Sequence, residues 1–386
     1  MTDIRSSICL FIGTLKAGGA ERVTVWLASE LNRLGHEVVV LTHSTPETDF
    51  FSLPAGIKRE TVGFDEGRSS LLGKLIINLR RCLQVRKVLR RHRVSAMLAM
   101  MPHESVMAVV SSFGTPTRVV VSERNAPWHR KQDQIWTILR RLVYRFSDCQ
   151  VAQTQPISDW LQRETGSRNV AIIPNAVQSS LPSGPPIVRP KEHVKSGRKL
   201  LLAVGTKPYQ KGFDILIEAF ALVAGDHPEW DLAILGLLPD RVEEGISGRN
   251  IRSVAAKSGL TERVFLPGHL GNVSDWYTAA DLFVLSSRFE GFPNVLVEAM
   301  SAGCACVAFD CDTGPKEIIE DNVDGILVRD LTAEALASAL DLVMSDPQTR
   351  SRLAETAPRV SQRYDPSSVL GAWCRVLDLP DIEQHK

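Results

Sequence analysis

No apolar run in this chain approaches the ~20 residues that a membrane-crossing helix needs, so a spanning segment is excluded. The N-terminal MTDIRSSICLFIG has an acid and an Arg before a short apolar stretch. It lacks the longer apolar core and the small-residue cleavage site of a secretory signal, and is expected to enter a first strand directly. Seven cysteines stand at 9, 82, 149, 304, 306, 311 and 374, an odd number with no Cys-x-x-Cys spacing. That argues against a disulfide framework and predicts reduced, mostly structural thiols in the cytoplasm. The glycine-rich loop after the first apolar segment is not Gly-x-Gly-x-x-Gly and lacks Gly-Lys-Ser/Thr, so neither a dinucleotide fingerprint nor a P-loop is supported. There is no repeat of 20–50 residues, and no base-stacking motif or metal knuckle that would make nucleic acid a partner.

What is present is an ordinary globular composition, 44% hydrophobic and 23% charged with net charge +1, over 386 residues, a length that suggests two domains. The charge is unevenly spread. Residues 1–180 carry 24 Lys and Arg against 15 Asp and Glu, whereas the remainder carries 21 against 29. The first half is therefore suited to something anionic, a membrane surface or a phosphate-bearing acceptor.

Strand-like and helix-like segments alternate throughout. One series of strands reads ICLFIG (8–13), EVVVLT (37–42), AMLAMM (96–101), RVVVS (118–122) and CQVAQ (149–153). A second reads KLLLAVG (199–205), DLAILG (231–236), RVFLPG (263–268), DLFVLS (281–286) and ACVAFD (305–310). Alternation of this kind predicts an α/β fold with parallel sheets flanked by helices. A helix is expected over 21–35 with Gly35 as its C-terminal cap. The Pro-, Ser-, Gly- and Lys-rich stretch 178–198 separates the two series and reads as an interdomain linker or an exposed loop entering the second domain.

The run SSRFEGFPNVLVEAMSAG (286–303) carries the most chemistry. Glu290 follows a strand end, Pro293 suits the first turn of a helix, and Val295, Leu296 and Met300 fit that helix's apolar face. Glu298 then lies about one turn inside. Open α/β sheets bind ligands at the carboxyl ends of their strands. Two acids there suit a hydroxyl-rich ligand, and the helix N-terminus suits a phosphate.

This run, with Ser287, Glu290, Gly291, Phe292, Pro293, Asn294 and Glu298, resembles the signature of glycosyltransferase family 4, the retaining nucleotide-sugar transferases of GT-B fold. The resemblance extends over roughly residues 7–376. It implies two Rossmann-like domains facing across a cleft, with the last helix crossing back onto the first domain; residues 366–377, with Leu370, Trp373 and Leu377 on one face, suit that role. The expected domains are 1–178 with 366–386 on the acceptor side, and 179–365 binding the nucleotide sugar.

The resemblance also implies roles for residues. Glu290 lies by the transferred sugar and Lys211, in the Lys-Gly pair 211–212, contacts the donor diphosphate; these two are the candidate catalytic residues. Glu298 accepts from ribose hydroxyls, with Gly291, Phe292, Asn294 and Val295 around the donor. Gly18 and Gly19 in GTLKAGGAER lie against the diphosphate and acceptor, and Gly268, His269 and Leu270 lie below the base. No metal site or cofactor is implied: Lys211 and helix N-termini meet the leaving charge, and the Asp-x-Asp of DCDTGP (310–315) is read as a loop turning at Gly314.

Two departures stand out. The family has Arg after Gly205, where this chain has Thr206 and then Lys207; Lys207 or Arg124 takes the missing cation's place. Leu238 replaces a Gly after Gly236.

On the acceptor side, Gly-Gly-Ala-Glu-Arg and Ser-Glu-Arg-Asn are similar to the subset that builds bacterial surface polysaccharides and lipid-linked oligosaccharides. Arg124, facing the cleft, is the candidate for a donor or acceptor phosphate, with a structural salt bridge as its alternative; His103 is the candidate sugar contact, and His129 is the other histidine near this loop. Residues 71–93 carry Leu72, Leu75, Ile76, Leu79, Leu83 and Val88 at helical spacing with eight Lys/Arg and no acid. This is either a core-facing helix with a solvated basic face or a patch for an anionic membrane. The reading is a peripheral cytoplasmic enzyme that moves a sugar from a UDP- or GDP-sugar to a glycan, carried on polyprenyl diphosphate. The alternatives are a nucleotide-sugar epimerase on the same architecture and a non-catalytic nucleotide-sugar-binding or partner protein.

Overall fold

The computed structural model describes residues 6–16, 18–63, 71–129, 134–177, 181, 184–238, 240 and 242–380, with the side chains of 71, 72, 74, 75 and 134 set aside. The expected apolar contacts of Leu72 and Leu75 lie outside the described residues. The chain divides into two compact units, Met1–Asn175 with Pro366–Lys386, and Ala176–Asp365.

The first unit holds strands β1 (Ser7–Phe11), β2 (Glu37–Thr42), β3 (Lys58–Thr61), β4 (Ala96–Met100), β5 (Arg118–Ser122), β6 (Cys149–Ala152) and β7 (Val170–Ile172). They form one sheet in the order β3-β2-β1-β4-β5-β6-β7, every neighbour parallel. Helices α1 (Gly19–Arg33), α2 (Leu71–Arg91), α3 (Pro102–Ser112), α4 (Gln134–Val143) and α5 (Gln155–Thr165) fill the crossovers. Because helices cover a parallel sheet on both faces, its central strands are continuously apolar; β4 is buried at all five positions. One face packs on a core of Val85, Leu89, Val106, Val109, Tyr144 and Leu161 from α2, α3, α5 and the turn after α4. The last helix, Pro366–Leu377, returns to this unit and packs on β4 and β5, burying Leu370, Trp373 and Leu377.

The second unit holds β8 (Lys199–Val204), β9 (Trp230–Leu235), a small hairpin of β10 (Val242–Glu243) and β11 (Ile246–Ser247), β12 (Val264–Gly268), β13 (Leu282–Leu285), β14 (Cys306–Phe309) and β15 (Ile326–Val328). Its sheet runs β12-β9-β8-β13-β14-β15, again all parallel. Helices α6 (Phe213–Val223), α7 (Gly248–Lys257), α8 (Val273–Ala279) and α9 (Asn294–Ser301) lie among them.

Each sheet reverses its order once, between β1 and β4 in the first unit and between β8 and β13 in the second. Such switch points open the crevice where α/β proteins bind ligands. The loops after β1, β4, β8 and β13 are therefore the places to look for chemistry.

Some sequence expectations need correcting. Of the two readings of 178–198, the loop entering the second domain holds for the described residues 184–198: the Val188 amide donates to Asn272 Oδ1, Trp276 Nε1 donates to the Val188 carbonyl, and Gly184 and Pro186 pair with the Gly271 backbone. It is an exposed loop laid on the second unit. Helix α1 starts at Gly19, two residues early, while Gly35 (φ 89°) caps its C-terminal end as expected, in the left-handed position just past Leu34. Pro293 is the N-cap of α9 and not in its first turn. In α2, Ile76, Leu79 and Leu83 are exposed, and the core-facing positions are Val85, Val88 and Leu89.

Candidate active site

In the second unit, the chain leaves β8 at Gly205 and turns back into α6 through Lys211 and Gly212. It leaves β13 at Ser286 and Ser287 and reaches α9 through Glu290 and Pro293. The two loops are fastened together. Arg288 forks onto Asp214 at 2.7 and 2.5 Å, lies over the Tyr209 ring, and donates to the Tyr209 carbonyl. Gln210 Nε2 donates to the Phe289 carbonyl and the Arg288 amide to Gln210 O. The Asp214 hydrogen bonds hold the Arg288 pKa above its ordinary value. A bidentate pair of this kind fixes orientation as well as distance.

This clamp places Lys211 Nζ 2.6 Å from Glu290 Oε1, and Ser287 Oγ donates to the same oxygen at 2.6 Å. The Lys211 and Glu290 side chains are only 14% and 7% exposed. Glycines make the arrangement possible. A Cβ on Gly205 would lie 2.6 Å from Lys211 Cγ, one on Gly212 (φ 62°) would strike the Ser286 carbonyl, and one on Gly236 (φ 86°) would lie 2.7 Å from the Gly205 carbonyl. The loop after β14 closes the far side: a Cβ on Gly314 (φ 104°) would stand 2.6 Å from Pro293 Cδ and 3.2 Å from the Gly291 carbonyl. Burial, and then the Glu290 charge, push the neighbouring Cys311 thiol up to about 12, so it stays protonated.

Glu298, half-buried in the second turn of α9, accepts from Tyr277 Oη at 3.0 Å. Other residues singled out from the sequence fall in different surroundings. Phe292 is buried and meets Tyr364 edge-on at 5.1 Å, and Leu270 is buried in the same core. Both leave only backbone for a ligand. Val295 packs beside that core, and Asn294 is the half-buried first residue of α9. Thr206, Lys207 and His269 are half-buried on loops leaving β8 and β12, while Leu238 is exposed. Asp310 and Asp312 join no cluster of three ligand-type side chains among the described residues.

In the first unit, Gly18 is the N-cap of α1 and Gly19 its first residue; a side chain on Gly18 would collide with the Glu21 carboxylate. His103 and its neighbour Glu104 begin α3, turned there by Met101, a non-glycine residue at φ 93°. Backbone of that kind costs about 1–3 kcal/mol and persists where the surroundings enforce it. Glu104 Oε1 lies 3.4 Å from His43 Nε2 and 3.8 Å from His103 Nδ1, beneath Gly13, whose added Cβ would stand 3.0 Å from it. Burial alone would raise the Glu104 pKa, but the neighbouring His103 and His43 imidazoles outweigh it and hold the carboxyl at about 2. The three ligand-type atoms lie within 4.8 Å of one another. His103 also meets Trp136 at 4.1 Å.

Arg124, two residues beyond β5, is buried and hydrogen-bonded to Asn175 Oδ1; its Nε and Nη1 make no hydrogen bond among the described residues. Burial lowers its pKa to about 10. A small cavity beside it is lined by Met101, Pro102, Glu123, Asn125, Pro127 and Arg140.

Sequence reading missed His43, Glu104, Arg288, Asp214 and Tyr277. His43 and Glu104 had a signal, since each follows closely on an apolar strand at the ligand-bearing end of the sheet. Tyr277 and Asp214 sit on helices with nothing local to mark them.

Family comparison places the chain among known proteins. The model for Glycosyltransferase Family 4 matches residues 17–181, and that for Glycosyl transferases group 1 matches residues 186–360. An uncharacterized glycosyltransferase of Haemophilus influenzae is 28% identical over 196 residues, 50% of this chain and 54% of the relative, so the chain matches about half of that protein's length. A Campylobacter jejuni protein named GalNAc-alpha-(1->4)-GalNAc-alpha-(1->3)-diNAcBac-PP-undecaprenol alpha-1,4-N-acetyl-D-galactosaminyltransferase is 26% identical over 376 residues, 96% of this chain and 98% of the relative. Among solved structures, Anabaena HepE in complex with UDP and glucose superposes with a TM-score of 0.80 at 20% identity, covering 97% of this chain and 100% of that one, a likeness of fold.

Proposed function

Because the chain belongs to glycosyltransferase family 4, we propose that it moves a sugar from a nucleoside-diphosphate sugar, with uridine or guanosine as base, onto a growing glycan carried on polyprenyl diphosphate, with retention at the anomeric carbon. The observation that carries this reading is the buried Lys211–Glu290–Ser287 constellation at the switch point of the second sheet. The undecaprenol-linked acceptor in the Campylobacter relative's name supports the choice of acceptor.

In this reading the bond between the sugar's anomeric carbon and the diphosphate oxygen breaks, and the nucleoside diphosphate leaves. The acceptor hydroxyl attacks from the same face, and its proton passes to the departing phosphate oxygen. Lys211 is placed to stabilise the negative charge that grows on that phosphate, an interaction strongest in the transition state. As the ammonium turns to the phosphate, Glu290 keeps the Ser287 hydrogen bond and faces the sugar, where it favours positive charge at the anomeric carbon. Glu298, braced by Tyr277, receives the ribose hydroxyls. The N-termini of α6 and α9 add backbone N–H groups. In the first unit, Arg124, a buried cation whose Nε and Nη1 make no hydrogen bond among the described residues, is suited to a phosphate, and His103, beside Glu104, to a sugar hydroxyl. Leaving-group charge is met by these groups without a resident metal. The enzyme works at the cytoplasmic face of a membrane; no described helix is long and apolar enough to cross one.

The test is thermal-shift measurement against nucleoside diphosphates and their sugars, with and without Mg²⁺. A ligand that binds only the folded state raises its apparent stability by mass action. A shift from one base family, independent of Mg²⁺ and lost in Glu298→Ala, is expected. No shift with any of them, or one that requires Mg²⁺, overturns the reading.

A further inference from the structure

The outward surface of the first unit's helical layer is apolar and basic at once. Helix α2 buries Val85, Val88 and Leu89 and turns Ile76, Leu79 (60% exposed) and Leu83 to solvent along one stripe, with Arg80, Lys87 and Arg90 on the same side. Helix α4 repeats the pattern: Ile135, Ile138 (54% exposed) and Leu142 recur every three or four residues, and Arg141, Arg145 and Phe146 continue the stripe. Helix α3 lies between the two, packed on both. Its C-terminal end joins them: Arg86 of α2 donates to the Phe113 carbonyl, and the Phe113 ring meets Phe146 at 5.5 Å. Val110 and Phe113 are themselves exposed.

We propose that the outer stripes of α2 and α4, joined through Phe113 and Phe146, form one docking surface for an anionic lipid bilayer. Charge complementarity selects this occupant. Neither α2 nor α4 contains an Asp or Glu; Arg141 is paired with Glu164 of α5, and Arg80, Lys87, Arg90 and Arg145 border the apolar stripes with charge that matches phosphate headgroups. An interfacial helix buries its apolar face just below those headgroups while Lys and Arg stay at their level. A protein partner would instead be expected to meet mixed charge. The inference deepens the proposed function by naming the surface that brings the enzyme to a lipid-carried acceptor. It rests on that reading only for its purpose, since lipid binding is measured without turnover.

The test is co-sedimentation of the full chain with vesicles of phosphatidylcholine alone or containing phosphatidylglycerol, over a range of salt. Binding is expected only with the anionic lipid and falls with salt. Arg80→Gln/Lys87→Gln/Arg90→Gln should weaken partitioning about 100-fold, at roughly fivefold per cation. Ile138→Gln/Leu142→Gln should weaken it at least about tenfold from lost apolar burial. These positions are exposed, so both variants should keep the parent melting temperature and nucleotide binding; Leu79→Gln/Leu83→Gln serves if one does not. Equal binding to neutral vesicles, no binding to anionic ones, or variants that bind like the parent overturn the proposal. So does a lipid-free dimer in light scattering that Ile138→Gln/Leu142→Gln abolishes, which would make the surface a self-association face. Vesicle binding without any nucleotide binding would leave this surface standing and remove the proposed function.

Discussion

Replacing Lys211 by Met tests the reasoning about the second unit most directly. Met keeps the unbranched stem that passes over Gly205 and removes only the charge. Glu290 then keeps Ser287 but loses its ammonium partner at 2.6 Å, in a place where its side chain is 7% exposed. Leaving one member of a buried pair uncompensated costs about 3–5 kcal/mol, whereas removing both is often near neutral. The second unit spans residues 176–365, a size at which each kcal/mol moves the melting temperature by about 2–4 °C. Lys211→Met and Glu290→Gln should therefore each lower it by roughly 6–20 °C. The double variant should lose much less than the sum, with a coupling of at least about 2 kcal/mol. Urea unfolding followed by tryptophan fluorescence supplies the four stabilities, and a radiolabelled donor assay supplies turnover. Turnover of Lys211→Met should fall by about three orders of magnitude, because the charge that stabilised the leaving group is gone. Additivity of the two substitutions within about 0.5 kcal/mol would refute the coupled buried pair. Near-parental turnover in Lys211→Met would refute its placement at the leaving group.

Other outcomes follow from the same geometry. Glu298→Ala should weaken nucleoside-diphosphate binding by about 10–100-fold and Tyr277→Phe by less than about tenfold, by isothermal titration; an unchanged affinity in Glu298→Ala would remove the ribose assignment. Gly314→Ala places a Cβ at φ 104° against Pro293 and Gly291 and should cost about 1–3 kcal/mol with a loss of turnover; a parental melting temperature would mean the loop yields. The Glu104 carboxyl, held at about 2 against an ordinary 4.5, contributes stability that is complete above the unfolded value. That stability is lost as pH falls from about 4.5 toward 2, and amounts to about 3 kcal/mol. In Glu104→Gln the acid limb of stability should flatten in that window; an unchanged limb would mean His43 and His103 do not hold the carboxylate.

The central strands of both sheets were legible because each is covered on two faces and so reads as an unbroken apolar run. Those missed were β3, β7 and β15, which lie at sheet edges, and the two-residue strands of the β10–β11 hairpin. At an edge one side lacks a neighbour, and β3 is written KRET, a sequence no burial pattern marks. The site was legible where chemistry clusters in sequence, as in 286–298. Across distance it was legible only through the resemblance, which named Lys211 and Glu290, 79 positions apart, together; Asp214 and Arg288, 74 positions apart, had nothing in sequence to pair them. Leu270 and Phe292 show the opposite limit, for nothing in their spacing says that their side chains turn inward.

The glycines around Lys211 and Glu290 carry a consequence for anyone who would redirect this enzyme to another donor. Gly205, Gly212, Gly236 and Gly314 each stand where added carbon meets backbone or a packed side chain, so they form a scaffold closed to variation. Diversity must enter through side chains that border that scaffold without supporting it: Thr206, Lys207, Leu238 and His269, all at least partly open to solvent. On the proposed placement of the donor against these loops, a combinatorial library confined to those four positions explores donor choice while leaving the folding of the second unit almost untouched.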